Sequence, residues 1–364
     1  MITHQTNFNL DCAIWEITLA CNMNCKHCGS SAGSARAREL STQESYTLCE
    51  GLAAANCQTV CLMGGEPFLR EDWDLIAGCV KDLGMNLAFV SNGILIPKVI
   101  DKIARLDANV VGLSLDGMKN VHDSIRKEGS FDAVMRAIEL LRQKDIQVTI
   151  ITTLTKTNFH ELLPLRELLS TKGVNWQIQV GSPIGNCDQS VIINDEDYYA
   201  SAMFISSNQI KNKFSHMPVV GAHCYGFYSH LLPFGRKWTG CTAGISTIGI
   251  TSDGSIVGCL SMGNNQFFEG NVRDRNFIDI WEDPNSFTYN RKFARQDLGE
   301  LCRDCVYGKI CKGGCNSLSQ HMTARLHNFP FCLKRIEEEK FHAKIPLREK
   351  LAKKRNTHSK EVIQ

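Results

Sequence analysis

Seven cysteines stand from residue 241 onward at intervals that apolar packing does not require. Cys241 is followed by Gly254 and Cys259; Cys302, Cys305, Cys311 and Cys315 then come in quick succession, and Cys332 closes the run. From Cys241 onward the sequence is short, turn-rich and poor in long apolar runs, so it reads as a small domain held by metal rather than by a large core. A zinc module is the rival, since Cys302 and Cys305 form a CxxC pair that Cys311 and Cys315 could complete. That arrangement leaves Cys241, Cys259 and Cys332 without a use.

There are 17 cysteines in all. Met1 to Ile14 carry neither a basic leader nor an unbroken apolar stretch, and no apolar run reaches the roughly eighteen residues of a membrane span. A cytoplasmic chain that neither enters nor crosses a membrane is therefore expected. In that reducing compartment thiols hold metal or sit in cores more often than they pair. Lys and Arg number 40 against 38 Asp and Glu, a net charge of +2. Such a balance gives no field for gripping phosphate backbones, so nucleic acid is not an expected partner.

Between Ala13 and Gly181 short apolar runs alternate with stretches of helical period, the pattern of parallel strands joined by crossover helices. Six strands are predicted, at 13–20, 59–64, 87–91, 109–115, 147–153 and 175–180, each rich in Val, Ile, Leu or Thr as doubly covered strands are. Ser41 with Glu44 is a capping-box pair, and Phe131, Val134, Ile138 and Leu141 form an apolar stripe on another helix. Asn158 with Glu161 marks a further helix start, with Pro164 inside that helix, where it should kink it. Six units fall short of the eight that close a barrel. The predicted fold class is thus α/β, a partial (β/α)6 TIM-like barrel with its site at the C-terminal strand ends, followed by the small Cys-rich domain. The expected organisation is a lead-in at 1–12, the barrel at 13–210 with a late helix near 196–207, and an irregular bridge at 211–240. The cysteine-rich domain follows at 241–336, and then a charged tail at 337–364 that reads as a solvated helix fraying into disorder.

Directly after the first predicted strand comes Cys21-Asn-Met-Asn-Cys25-Lys-His-Cys28. Three thiolates on one tight loop can hold three irons of a cubane and leave the fourth open to substrate chemistry. A zinc knuckle with His27 as fourth ligand is the alternative, although zinc usually takes paired CxxC cysteines. The next strands end in Gly64-Gly65-Glu66-Pro67, Ser91-Asn92-Gly93 and Ser114-Leu115-Asp116-Gly117. Glycines there let the backbone approach a ligand, while Glu66, Ser91, Asn92, Ser114 and Asp116 supply hydrogen-bonding groups. Each alone is ordinary for a turn. Together they line the rim on which the three-cysteine loop sits.

The CxxxCxxC loop and the GGEP segment resemble the radical S-adenosylmethionine enzymes in order, spacing and strand position, over about residues 13–180. The resemblance implies a 4Fe-4S cluster on Cys21, Cys25 and Cys28 that binds the amino and carboxylate groups of S-adenosylmethionine. An electron from it breaks the sulfur to 5′-carbon bond, and the resulting 5′-deoxyadenosyl radical takes hydrogen from substrate. By the same resemblance Gly64, Gly65 and Glu66 hold the methionine amino group, and Ser91, Asn92 and Ser114 belong to the cofactor-binding rim. His27 stands where the family leans an aromatic or apolar residue on the adenine. Arg126, after His122-Asp123, partners the methionine carboxylate through a charge-assisted bond. A surface ion pair of Arg126 with Asp123 or Glu128 is the alternative. A reductant such as flavodoxin or ferredoxin is implied as a partner.

The C-terminal array is similar to the SPASM domain that follows the barrel in many of these enzymes. Cys241-Thr-Ala-Gly244, Asp253-Gly254, Cys311-Lys-Gly-Gly-Cys315 and Pro330-Phe-Cys332 carry that likeness. It implies two auxiliary 4Fe-4S clusters, making three clusters in all, with Cys241, Cys259 and Cys315 on the first and Cys302, Cys305, Cys311 and Cys332 on the second. Cys224 is taken as the fourth ligand of the first, an open iron being the alternative. Cys12, Cys49, Cys57, Cys61 and Cys79 show no spacing pattern and read as small buried residues. Cys187, just after the sixth strand, is placed to face the site.

Relatives with this domain mostly act on peptides, which implies a ribosomally made peptide being crosslinked, epimerised or oxidised. Dehydrogenation or epimerisation of a small-molecule alcohol, a sugar or aminocyclitol, is the alternative, with Asp116 or Cys187 as catalytic proton or hydrogen-atom donor. Formylglycine maturation is a third branch, from which Gly29 after Cys28 and Leu260 after Cys259 depart, since an aromatic and an acidic residue are expected there. Twenty residues precede Cys21, so an N-terminal peptide-binding domain is not expected and a peptide docks on the barrel, the auxiliary domain or a separate protein. His223-Cys224-Tyr225-Gly226-Phe227-Tyr228, with Trp238, is aromatic enough to line a pocket, with core packing as the other use of any one ring. A purely binding role leaves the intact CxxxCxxC and GGEP unexplained.

Overall fold

All six predicted apolar runs form strands, because each carries β-branched or aromatic side chains that helices cover from outside. They are β1 (Cys12–Thr18), β2 (Thr59–Gly64), β3 (Asn86–Ser91), β4 (Val110–Ser114), β5 (Val148–Leu154) and β6 (Asn175–Val180), each parallel to the next. The computed structural model describes residues 8–211, 217–225, 228–232, 238–263 and 265–341. Phe227 and the tail from 342 to 364 lie outside the described residues, as do residues 1–7 of the lead-in. Register lays Trp15, Leu62, Phe89 and Val111 in one row across the sheet, all essentially buried.

Parallel strands need crossovers, and here they are helices. These are α1 (Thr42–Ala54), α2 (Trp73–Asp82), α3 (Ile96–Arg105), α4 (Lys119–Ile125), α5 (Ser130–Gln143) and α6 (Leu162–Leu169). Ser41 and Glu44 close the expected capping box on α1, and Val134, Ile138 and Leu141 bury the stripe of α5. The helix expected from Asn158 is divided: Phe159–Glu161 makes one 3-10 turn, and α6 begins at Leu162. Pro164 therefore falls in the first turn of α6, where its missing N–H costs no intrahelical bond and no kink is needed. The barrel is a partial (β/α)6 barrel, and α7 (Asp195–Lys211) is the late helix expected near 196–207.

The sheet does not stop at six strands. β7 (Val219–Gly221) adds in parallel beyond β6, and β8 (Thr247–Ile250) adds in parallel beyond β1. β9 (Ser255–Val257) and β10 (Phe268–Asn271) continue antiparallel, giving the order β10-β9-β8-β1-β2-β3-β4-β5-β6-β7. The cysteine-rich region thus shares a sheet with the barrel. Polar pins reinforce the join. Buried Glu16 on β1 accepts from Arg36 Nε and Nη2 (3.0 and 2.9 Å) and from the Ser252 amide (3.2 Å). Arg273 forks onto Glu44 at 2.6 and 3.0 Å, so the α1 capping residue also ties the two regions together. Among the described residues no helix is long and apolar enough to cross a membrane.

Candidate functional site

The three-cysteine loop is clamped from both sides by main chain. The Gly65 and Glu66 amides donate to the carbonyls of Thr18 and Ala20, at 2.9 and 2.8 Å, and the Cys21 amide donates to Gly33 O at 2.8 Å. A Cβ on Gly64 would lie 2.1 Å from Thr18 O and one on Gly65 2.2 Å from Ala20 O, so only glycines let the end of β2 rest on the chain entering Cys21. The segment after β6 closes the other side. Asn186 donates its amide to Cys28 O (2.9 Å) and its side-chain Nδ2 to Cys25 O (3.3 Å). Gly185 has φ +59, and a Cβ there would meet Cys28 O at 2.3 Å.

Next to Cys21 lies Glu66, fully buried, accepting from Ser91 Oγ and the Asn92 amide, both at 2.9 Å. Burial lifts its pKa to about 7 against those hydrogen bonds. Asn92 Nδ2 reaches Asn22 Oδ1 inside the cysteine loop at 2.7 Å. Ser114 ends β4 on the same rim. Burial pushes the Cys25 thiol up to about 11 against the pull of the Arg126 guanidinium, whose Nη1 is 3.9 Å from Cys25 Sγ.

Asp116 is the pivot. It is wholly buried; Oδ2 accepts from Arg126 Nε at 2.5 Å and pairs with His27 Nε2 at 2.8 Å, while Oδ1 accepts from the Thr153 amide at 2.8 Å. Burial works to raise its pKa, but Arg126, then His27 and the Thr153 amide, hold it far below the ordinary carboxylate range. Its own amide donates to His122 Nδ1 at 3.1 Å, and its carbonyl accepts from Asn158 Nδ2 at 2.8 Å. Burial lowers the His122 pKa to about 4, so that imidazole is the neutral acceptor this bond needs. Arg126 therefore makes a buried pair with Asp116 instead of a surface pair with Asp123 or Glu128. Asp123 instead caps α5 by accepting from the amides of Gly129 and Phe131. With its oxygens engaged and its charge held, Asp116 is arranged to position His27 and Arg126 rather than to give up a proton.

Cys187 is 5% exposed and belongs to the apolar core, with burial raising its thiol; the loop reaches the cysteines through Gly185 and Asn186. Part of the aromatic bridge is core as well. Tyr225 is buried, stacked on Tyr198 at 5.1 Å and bonded to Ser201 Oγ, and Tyr228 stacks on Tyr307 at 4.1 Å. Trp238 is also buried. Tyr225 and Trp238 thus serve core packing, the other use open to any one ring, whereas His223 is exposed and Tyr228 half-buried.

The C-terminal thiols sort into two neighbourhoods. Burial raises Cys315 far above an ordinary thiol, with Cys241, Cys259 and Cys224 adding to the effect. Burial likewise raises Cys311, with Cys332, Cys302 and Cys305 adding. Cys224 is buried, its sulfur accepting from the Val180 amide at 3.3 Å. Cys302, Cys305, Cys311 and Cys332 line a cavity of about 260 Å³. Among the described residues no three Cys, His, Asp or Glu converge as the ligands of one metal ion do. Donors on a single zinc sit about 2.3 Å from it and hence close together; thiolates of a cubane bind separate irons and stand wider apart. Each neighbourhood is made of thiols alone, the donor type that iron–sulfur clusters take.

Sequence reasoning missed Asn22, Thr153 and Asn186 and gave Asn158 only a capping role. Thr153 acts through its backbone and carries no signal of its own. Asn186 could have been found, since the turn Gly185-Asn186 follows a strand on the same rim as the cysteine loop.

Residues 15–169 match the family model described as the radical SAM superfamily, and residues 241–306 match SPASM, described as an iron-sulfur cluster-binding domain. An AdoMet-dependent heme synthase of Methanosarcina barkeri is 29% identical over 339 residues, 88% of this chain and 95% of that protein. The mycofactocin maturase MftC of Mycolicibacterium smegmatis is 28% identical over 318 residues, 84% of this chain and 77% of that one. Streptococcus suis SuiB, solved bound to S-adenosylmethionine, shares the fold with a TM-score of 0.71 at 17% identity, covering 89% of this chain and 76% of that one.

Proposed function

Because the chain carries a radical SAM domain followed by a SPASM domain, we propose that it cleaves S-adenosylmethionine reductively and abstracts hydrogen from a ribosomally made peptide, which is thereby crosslinked, epimerised or oxidised. The observation that carries this reading is the clamped three-thiol loop with the Asp116, His27 and Arg126 set beside it. S-adenosylmethionine and iron–sulfur clusters are the cofactors that the two domains imply. When bound, they supply a one-electron cleavage that yields a 5′-deoxyadenosyl radical.

The chain's own residues divide the work. Cys21, Cys25 and Cys28 hold a cluster with one iron left free, and Gly64, Gly65 and Glu66 offer backbone and carboxylate to the methionine amino group, with Ser91, Asn92 and Ser114 on the same rim. Arg126 brings the cation for the methionine carboxylate, kept in place by Asp116, and His27 is held by Asp116 for the adenine side. Cys241, Cys259, Cys315 and Cys224 hold the first auxiliary cluster; Cys302, Cys305, Cys311 and Cys332 hold the second. Cys187, buried beside the rim, remains the candidate hydrogen-atom donor. A flavodoxin or ferredoxin supplies the electron, and a separate peptide-binding protein can present the substrate.

The peptide reading draws on the mycofactocin maturase, which aligns with 84% of this chain. A second reading, a tetrapyrrole substrate, is favoured by the heme synthase, whose own length is covered to 95%. The anaerobically reconstituted protein should contain about twelve irons and twelve sulfides, three cubanes; stoichiometric zinc with little iron would sink the proposal. With dithionite and S-adenosylmethionine, peptides encoded beside the gene should lose hydrogens or take up solvent deuterium as 5′-deoxyadenosine appears. Turnover confined to a porphyrin, or to an aminocyclitol, would move the substrate class accordingly.

Cys224→Ala tests the fourth ligand. Iron retained after an EDTA challenge should fall from about twelve toward about eight atoms per chain. Full retention would leave the first auxiliary cluster on three thiolates with an open iron.

A further inference from the structure

Buried polar groups in proteins are nearly always paired, so an unpaired one asks for an explanation. The Tyr289 hydroxyl is buried and has no hydrogen-bond partner among the described residues. The ring is held by its neighbours. Tyr289 lies on the single-turn helix Thr288–Arg291, its ring edge-on to Phe267 at 5.6 Å and its carbonyl bonded to His327 Nε2 at 2.8 Å. The next residue, Asn290, donates to the carbonyls of Cys241 and Ala243, both at 2.8 Å. The helix is thus tied to the Cys241 turn.

The hydroxyl itself rests on Gly258, the residue before Cys259. A Cβ at Gly258 would come within 2.0 Å of Tyr289 Oη. The missing side chain is what gives the phenol its place between the two cysteine segments. Gly258 also packs on Ala243, whose carbonyl Asn290 holds together with that of Cys241, so the hydroxyl lies beside both cysteine segments. A tyrosine hydroxyl is a hydrogen-bond donor at neutral pH.

We infer that the Tyr289 hydroxyl donates a hydrogen bond to sulfur of the first auxiliary cluster at its Cys241 and Cys259 edge, and so sets how readily that cluster accepts an electron. This rests on the reading that Cys241, Cys259 and Cys315 hold a cluster. Reduction adds negative charge to the sulfurs, and a donor aimed at them stabilises the reduced form; hydrogen bonds to sulfur are among the terms that set these potentials. Tyr289 is then a positioning residue for charge, and Gly258 is the residue that admits it.

The test uses the reconstituted holoenzyme, titrated with dithionite and followed by electron paramagnetic resonance, with the first auxiliary signal identified by its loss in Cys259→Ala. Tyr289→Phe keeps the ring and removes the donor. It should make reduction of that cluster about tenfold less favourable, a shift of about 59 mV to lower potential for one electron, with the other two clusters unmoved. An exchangeable proton coupled to the reduced cluster, seen by comparing H2O with D2O, should disappear. Gly258→Ala, which displaces the hydroxyl without deleting it, should shift the potential in the same direction. Full iron content with an unmoved potential in both variants overturns the inference, as does an equal shift of all three clusters. Absence of any cluster at this site in the parent protein overturns the underlying reading and the inference together, and the iron count tells the two failures apart.

Discussion

Replacing Cys21, Cys25 and Cys28 together by Ala should abolish formation of 5′-deoxyadenosine from S-adenosylmethionine and dithionite, while iron should fall only from the proposed twelve to about eight atoms per chain. The loop should survive the change, since the main chain holds it: Gly65 and Glu66 donate to Thr18 and Ala20, Cys21 donates to Gly33, and Asn186 donates to Cys28 O. None of these bonds uses a sulfur. The C-terminal thiols form neighbourhoods of their own and feel one another rather than Cys21, Cys25 or Cys28. Iron and sulfide analysis beside a chromatographic assay for 5′-deoxyadenosine reads both halves of the result. Cleavage that survives the triple change, or loss of all iron, would place the radical chemistry elsewhere.

Asp116→Asn carries the largest expected cost in stability. The change keeps shape and removes the charge that balances the Arg126 guanidinium, whose side chain is 11% exposed, and alters the acceptor that His27 Nε2 meets. Breaking a buried pair on one side leaves an uncompensated charge and costs about 3–5 kcal/mol. The matched control is Asp132→Asn, which breaks an ion pair with Lys119 whose members are 61% and 57% exposed. Surface pairs of that kind contribute little, because water and salt screen them. Anaerobic urea unfolding of the two variants, compared by midpoint and slope, separates the cases. A loss for Asp116→Asn no larger than the control's would mean that Arg126 and His27 hold their places without it.

The strands and the cysteine loop were legible because period and spacing are sequence-local. Val148 to Leu154 alternates visibly, and three thiols in one short loop need no partner to be noticed. β7 and β9 are only three residues long and β8 four, too short to show a period, so the extension of the sheet from six strands to ten went unread. The same limit hid the link between Glu16 and Ser252, which only the β1–β8 pairing brings together. At the site, the rim residues were read from strand ends. Their division of labour was not: Arg126 and Asp116 face each other across a helix, and nothing in either segment says that the carboxylate is sealed in. Aromatic content suggested a pocket near Tyr225, but the stacking of Tyr225 on Tyr198 and of Tyr228 on Tyr307 is a tertiary fact.

The pairing of β1 with β8 bears on how the chain reaches this state. β1 opens the barrel, yet one of its two edges meets its partner only when Cys12 finds Thr247, after every barrel strand has been made. During synthesis that edge stays open, with free amides and carbonyls flanking a buried Trp15, and open strand edges are where foreign strands add. Contacts so distant along the chain also delay folding, because loop closure comes before its reward. The cysteine-rich region is therefore a late-arriving edge strand for the barrel as well as a carrier of thiols. A chain ending before residue 247 keeps its three-cysteine loop and loses that cover, which makes self-association the expected fate of a barrel produced alone.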